Sequence, residues 1–232
     1  MNNVIILVTK NGSKFIIDQL TSISKCKSEH PKIIYWYDDM SIDNTCALIE
    51  ESKNNTIVRV PHNPKNQSIS DNFLYTLEMA LKELGNNNIY YFCDQDDIWD
   101  KTKIINTEKK AKQKNVLILS NTQCFGSDRI KIKPNLDRYW ILNFFFNISP
   151  GMSFAFKNDD VLSLIKKIRK FDWHDHGLFL HYFSKNDSII HIDSILQYYR
   201  RHDEAVTIKL RRLSLWRLFY GIKNFYLTYT LP

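Results

Sequence analysis

Three carboxylates fall within four residues at Asp94-Gln95-Asp96-Asp97, directly after the apolar run Ile89-Tyr90-Tyr91-Phe92-Cys93. Ionised carboxylates this close repel one another, and a cation relieves the repulsion. Mn²⁺ or Mg²⁺ prefers oxygen ligands, and Mg²⁺ usually takes one or two carboxylates and completes its shell with phosphates and water. Such an ion would neutralise a departing diphosphate. The plainer alternative is an acidic turn that caps a helix. A second pair, Asp38-Asp39, follows Ile33-Ile34-Tyr35-Trp36-Tyr37. It could accept a hydrogen bond from a nucleobase imide or a ribose hydroxyl, or only shape a polar turn. Asp175 opens a helical segment between His174 and His176. A carboxylate there can take a proton from a hydroxyl or cap the helix. His174, His176 and His181 are metal-binding types, but 174 and 176 point to different faces of a helix, which argues against a shared zinc ion. Tyr199-Arg200-Arg201-His202 offers cationic groups suited to diphosphate oxygens, or simply begins a basic tail.

The segments that must hold these groups alternate in type. Residues 4–8 are a continuous apolar run, as in a buried parallel strand, and 14–25 carry apolar residues at helical spacing. A strand at 33–37 leads to a helix ending near residue 53, with Asp43 as its expected cap. A strand at 56–60, a helix over 70–84, a strand at 89–93, a helix over 101–112 and a strand at 116–119 follow. This βαβαβαβ order predicts an α/β fold with a mostly parallel central sheet flanked by helices. Both acidic clusters then fall at strand carboxyl ends, where ligands gather in such sheets. Beyond residue 120 a loop-rich stretch reaches Pro150-Gly151. A strand at 152–156, helices over 159–167 and 174–183, and two short strands at 189–192 and 195–199 complete the pattern. No linker divides it, so the expectation is one domain over 1–207, with a nucleotide-binding half at about 1–120 and an acceptor-binding half at about 121–207. Residues 208–232 would be a basic, amphipathic helical tail.

Composition narrows the classes. A hydrophobic fraction of 44% supports a real core over 232 residues, which excludes extended disorder. Residues 200–232 hold seven Lys and Arg against two acidic residues, so most of the +7 net charge sits in the tail. A nucleic-acid binder more often spreads basic residues over its main domain. A basic segment rich in Leu, Trp, Phe and Tyr instead suits an anionic membrane surface, or is a solvated helix packed on the domain. Cys26, Cys46, Cys93 and Cys124 form no Cys-x-x-Cys pair, which points to reduced thiols and a cytoplasmic setting. The N-terminus has no basic lead or cleavage site and reads as a first strand rather than a signal peptide. The apolar stretch over 139–156 is broken by Asn143, Asn147, Pro150 and Gly151, so it is not a membrane span.

Taken in order, these residues resemble family 2 glycosyltransferases of the GT-A fold, in their rhamnosyltransferase-like branch. Thr9-Lys10-Asn11-Gly12 is similar to the family's opening Thr-Tyr-Asn-Gly turn, and Gln19-Leu20-Thr21-Ser22-Ile23 to its Gln-Leu-x-Ser-Ile helix. Asp38-Asp39-Met40-Ser41-Ile42-Asp43-Asn44-Thr45 resembles Asp-Asp-Gly-Ser-x-Asp-x-Thr, and Asn72-Phe73 the Asn-Phe of the third helix. Phe92 to Trp99 is similar to Phe-x-Asp-Gln-Asp-Asp-x-Trp, the most specific of the set. Gly151, His174-Asp175 and Tyr199-Arg200-Arg201-His202 match a Gly on the acceptor side, a His-Asp pair and a Tyr-Arg-x-His element. Lys10 for Tyr, Met40 for Gly and Ser68 for Gly are departures.

The resemblance implies that Thr9, Asn11, Asp38, Asp39, Asp94 and Gln95 bind the nucleotide sugar, with Arg200, Arg201 and His202 near the diphosphate. It implies that Asp94 and Asp96 form the Asp-x-Asp metal element for Mn²⁺ or Mg²⁺, with Asp96 the direct ligand. Asp175 would be the general base of an inverting displacement, and Asp97, Trp99, Gly151 and His174 would lie on the acceptor side. The donor would be a dTDP- or UDP-sugar. The acceptor would be a glycan or lipid-linked glycan, such as lipopolysaccharide or capsule, built by a protein peripheral on the cytoplasmic face of the inner membrane. Two other readings compete: a nucleotidyltransferase, which would want a glycine-rich basic loop after the first strand, and a catalytically inactive glycan-binding or membrane-docking module.

Overall fold

The computed structural model describes residues 1–52, 56–125, 131–132, 151–185, 187–202 and 214–230. Its first half runs β1 (Asn3–Thr9), α1 (Ile16–Lys25), β2 (Lys32–Asp38), α2 (Thr45–Glu50), β3 (Thr56–Arg59), α3 (Ile69–Leu84) and β4 (Ile89–Asp94). Then come β5 (Ile98–Trp99), α4 (Lys103–Lys110), β6 (Val116–Phe125), β7 (Lys131–Ile132) and a 3₁₀ turn at Gly151–Ser153. The remainder is β8 (Phe154–Lys157), α5 (Val161–Ile168), α6 (His174–Ser184), β9 (Ser188–Arg200) and α7 (Ser214–Thr230).

Every residue of β1 is buried, and the strand pairs in parallel with β2 on one side and β4 on the other. An apolar run with both faces covered is what such a central position demands. The sheet order is β3-β2-β1-β4-β8-β6-β9-β5, with β7 alongside β6. The expected parallel sheet is thus the β3-β2-β1-β4 half. β8 runs antiparallel to β4 and β6, and β5 antiparallel to β9. One core layer lies under α3, α5 and α6, around Phe73, Leu77, Leu164 and Leu178. The other lies under α1, α2 and α4, around Ile16, Leu20, Ile49 and Ile104. Helices on both faces make this one α/β domain.

Several local expectations need correction. Asn44, not Asp43, is the N-cap residue of α2, and α2 ends at Glu50. The Asp43 carboxylate instead accepts from the backbone N–H of Ser13 and of Thr45, tying the loop after β1 to that after β2. β6 continues to Phe125, well past residue 119, because β9 pairs along its whole length. That β9 is one strand rather than two has the same cause: Asp193-Ser194 reads as a turn, but the register with β6 merely shifts there. The rest of the loop-rich stretch over 126–150 and the start of the tail at 208–213 lie outside the described residues, apart from β7.

Ser68, the departure before the third helix, is the N-cap of α3. Its hydroxyl accepts from Asp71 N–H at 3.0 Å, a bond glycine cannot make. α7, expected as an appended tail, packs on α6: Tyr220 and Asn224 are buried, and half-buried Leu227 packs against the core.

Candidate functional site

The register of the parallel strands brings the first acidic groups level. Thr9 lies beside Asp38 across β1 and β2, and Val8 beside Asp94 across β1 and β4. The carboxyl edge of the sheet therefore presents Thr9, Asp38 and Asp94 side by side, with the loops that follow them converging above.

Asp38 is largely consumed by its own surroundings. Its carboxylate accepts from the Thr9 hydroxyl at 2.7 Å, from Ser41 N–H at 2.7 Å and from the Ser41 hydroxyl at 2.6 Å. Trp36 Nε1–H donates to Thr9 Oγ1 at 2.8 Å, so Thr9 is buried and committed. These two residues shape the turn. Asn11 shapes it too, since its N–H donates to Ser41 Oγ and its Oδ1 accepts from Ile42 N–H. Asp39 stands more open, in an ion pair with Lys10 at 3.0 Å. Met40 adopts φ 56°, the left-handed region where a β-carbon costs about 1–2 kcal/mol, so the family's glycine at this place has a conformational reason.

The second acidic cluster divides into separate duties. Gln95 does not point to a ligand: its Oε1 accepts from Lys10 N–H at 2.9 Å and its Nε2 donates to Lys10 O at 3.0 Å. A β-carbon on Gly12 would collide with this amide, so a side chain there would displace Gln95 from its bonds to Lys10. Asp97 is 0% exposed, with Oδ1 accepting from Arg200 N–H and Oδ2 unpartnered. Burial, then the charges of Asp94 and Asp96, push its carboxyl well above the usual range. Trp99 is 3% exposed, packed on Tyr91 and under the Lys103 ammonium. Both side chains, expected on the acceptor side, are buried where β5 pairs with β9.

Asp94 and Asp96 are each partly exposed. Burial, then the charges of Asp96 and Asp175, push the Asp94 carboxyl up to about 7. Asp175 thus lies close enough to Asp94 for its charge to be felt, although 81 positions separate them in the chain. Asp96 Oδ2 is 2.8 Å from His202 Nε2, a carboxylate and an imidazole already side by side. Among the described residues no three His, Cys, Asp or Glu side chains form a group that could hold a metal by themselves.

Arg200 is not aimed at a diphosphate. Its Nε–H donates to Asp96 O, its Nη2 to Asp18 Oδ2, and its guanidinium lies over Phe15 and Phe125. It clamps the acidic turn instead. Arg201 donates its N–H to Phe125 O. Phe15 also packs on the His202 ring at 4.7 Å. Asp18 and Phe15 carried no signal in the sequence, since each acts only through a residue more than 180 positions away.

Asp175 occupies the first turn of α6, where the helix dipole favours its charge, and it is 8% exposed. A β-carbon on Gly151 would lie 2.9 Å from Asp175 Cβ, so the glycine lets the 3₁₀ turn close on this carboxylate. His174 does not join it on an acceptor surface. Its ring stacks on Phe73 at 4.3 Å and meets Phe92 edge-on at 4.6 Å. Burial in this aromatic slot pushes its pKa down to about 4, so it is neutral.

That shift has a pH consequence. Between pH 6.5 and 4 the unfolded chain protonates His174 while the folded one does not, so its contribution is lost as pH falls through that window. The raised Asp94 carboxyl acts in the opposite sense, so the variant difference isolates the histidine. His174→Phe is expected to gain up to about 3 kcal/mol relative to the parent between pH 7 and pH 4, read from urea unfolding at each pH. A pH-independent difference would mean that the ring is not buried neutral.

A family model described as glycosyl transferase family 2 matches residues 4–158. Among curated proteins, the chain is similar to the dTDP-rhamnosyl transferase RfbG of Shigella flexneri, 30% identical over 176 residues. The match takes in 70% of this chain and 57% of that relative, so the chain spans little more than half of the relative's length. Among solved structures, Staphylococcus aureus TarS 1–349 in complex with UDP superposes with TM-score 0.64 at 16% identity, covering 100% of this chain and 72% of that one. Glucosyl-3-phosphoglycerate synthase from Mycobacterium tuberculosis, in complex with Mn²⁺, UDP and phosphoglyceric acid, gives TM-score 0.61 at 14% identity, covering 95% and 78%. At these identities the structural likeness shows the GT-A fold.

Proposed function

The chain belongs to glycosyl transferase family 2, and we propose that it is an inverting transferase moving a sugar from a nucleotide-diphosphate donor to a glycan hydroxyl. The observation that carries the mechanism is the convergence of Asp94, Asp96, His202 and Asp175 at the carboxyl ends of the parallel strands. The donor we favour is dTDP-L-rhamnose, supported by the rhamnosyl transferase relative, with a UDP-sugar as the second choice. The acceptor class is a bacterial surface glycan such as lipopolysaccharide or capsule, free or lipid-linked.

The donor set fits a divalent ion: a carboxylate and an imidazole suit Mn²⁺, with Mg²⁺ also accommodated by the oxygens. Asp96 and His202 would hold it, with Asp94 beside them. When bound, the ion neutralises charge on the leaving diphosphate. The chain's own groups do the rest. Asp39 takes the base or ribose, and Arg201 stands near the diphosphate. The acceptor oxygen bonds to the anomeric carbon from the face opposite the diphosphate. The carbon–oxygen bond to the diphosphate breaks, its electron pair leaving with the phosphate oxygen. The acceptor proton passes to an Asp175 carboxylate oxygen.

Thermal-shift binding with dTDP, UDP, GDP and CMP, each with Mn²⁺, Mg²⁺ or EDTA, tests this reading. A ligand bound to the native state raises Tm. One nucleotide should raise it in Mn²⁺ and lose that effect in EDTA. No shift with any of them, in folded protein, would sink the reading.

The membrane contact rests on α7. Ile222, Phe225, Tyr226 and Tyr229 are each about half exposed or more along one side of the helix, which itself carries Arg217 and Lys223 and follows five further Lys and Arg at 200–212 in the sequence. Aromatic groups beside cations suit an anionic lipid surface. Among the described residues no helix is long and apolar enough to cross a membrane. The protein should co-sediment with vesicles containing anionic phosphatidylglycerol and not with pure phosphatidylcholine. Equal recovery with both, or with neither, would rule this contact out.

A further inference from the structure

The groups around Asp175 extend into the C-terminal helix. His176 N–H donates to Asp175 Oδ1 at 2.7 Å, and His176 Nδ1 lies 2.8 Å from the Tyr220 hydroxyl. All three are enclosed: Asp175 is 8% exposed, His176 0% and Tyr220 8%. On the other side of Asp175 the Gly151 turn closes against its β-carbon. The carboxylate therefore has the 3₁₀ turn on one side and the main-chain N–H of His176 on the other, and α7 holds the ring of that same histidine. α7 is itself anchored beyond Tyr220, by Lys223 Nζ on Asp172 Oδ1 at 2.6 Å, by buried Asn224 and by half-buried Leu227 packed against the core.

We propose that Tyr220 is a positioning residue for Asp175, acting through His176, so that α7 belongs to the catalytic unit rather than to an appendage. The inference rests on Asp175 being the base. The geometry explains why a tyrosine suits the place. A buried imidazole needs a partner at Nδ1, and the phenol supplies it from an element 44 positions later in the chain. Burial raises the Tyr220 phenol pKa, a hydrogen bond with Asn224 opposes it, and the Asp175 and Asp172 charges add to the rise. The phenol therefore stays a neutral hydroxyl throughout the working range. With His176 locked, the first turn of α6 has one arrangement, and Asp175 keeps the orientation in which its second oxygen meets an incoming hydroxyl. A shift of about 1 Å in such a group can cost roughly 10²-fold in rate.

The probe is dTDP-L-rhamnose with Mn²⁺, read as dTDP released to water, which needs no identified acceptor. Tyr220→Phe removes one oxygen and leaves the ring. Turnover is expected to fall by about tenfold or more, with the donor KM and the dTDP-induced Tm shift unchanged. Lys223→Ala loosens the same helix at its exposed ion pair without touching the Tyr220–His176 link, and should keep parental turnover. If Tyr220→Phe is recovered unfolded, His176→Asn breaks the link from its other end and is read in the same way.

Parental turnover in Tyr220→Phe overturns the proposal. So does an equal loss in Lys223→Ala, which would mean that only helix docking matters. If the parent releases neither dTDP from dTDP-L-rhamnose nor UDP from a UDP-sugar, the transferase reading itself fails; if Asp175→Asn is as active as the parent, the base role on which this inference rests fails. An active parent with a dead Asp175→Asn and an unaffected Tyr220→Phe defeats this inference alone.

Discussion

Asp175→Asn is expected to lower turnover by about 10²–10⁴-fold while leaving nucleotide binding within about twofold of the parent. The amide keeps an oxygen that can accept the His176 N–H, so the first turn of α6 and the contact with Gly151 survive. What disappears is a basic oxygen for the acceptor proton. The proposed nucleotide site, at the ends of β1 and β2, is built from other elements and should not register the change. Turnover of dTDP-L-rhamnose and the Tm shift with dTDP and Mn²⁺ separate the two effects. Turnover above a tenth of the parental rate would remove Asp175 from the role of base.

The second large effect belongs to the Asp96–His202 pair. Asp96→Ala and His202→Ala should each abolish the EDTA-sensitive Tm shift and reduce turnover by roughly 10²–10³-fold, the scale for losing one stabiliser of developing charge. Either change leaves the ion one protein ligand in a shell that has few. The structure also separates this pair from its neighbours. Asp97 and Arg200 are committed to each other and to the Asp96 peptide, so their loss should unsettle the acidic turn rather than remove a ligand. Retention of the Mn²⁺-dependent shift in His202→Ala would mean that the histidine only pairs with Asp96. In that case the ion would be held by the carboxylates alone.

The order of elements and the parallel half of the sheet were legible in the chain itself. β1, β2 and β4 are unbroken apolar runs, and strands of that kind announce burial on both faces. The placing of the acidic groups at strand carboxyl ends followed from the same local pattern. Asp94, Asp96 and Asp175 could be picked out by residue type and by their resemblance to a family pattern, and in the structure the Asp94 carboxyl feels the charges of the other two. Short-range signals sufficed because strands, helices and turns are decided mainly by neighbours in sequence.

Which carboxylate faces the cleft could not be read that way. Asp96 and Asp97 are adjacent, yet one meets His202 and the other is sealed beneath Arg200, because the two-residue strand β5 pairs with β9 nearly 100 positions later. His174 and Asp175 are likewise adjacent, but one is stacked on Phe73 and meets Phe92 edge-on while the other lies against the Gly151 turn. Gln95, Thr9 and Asp38 carry the types expected of ligands and spend them on neighbouring loops. Tyr220 had no motif, since its meaning comes from the docking of α7 on α6. Local sequence thus determined the fold's elements and the residue types available at its edge. Tertiary structure alone decided which polar atoms were satisfied within the protein and which remained for a ligand. Hydrogen-bond partners and burial depend on chain segments that are distant in sequence and meet only once the sheet has formed.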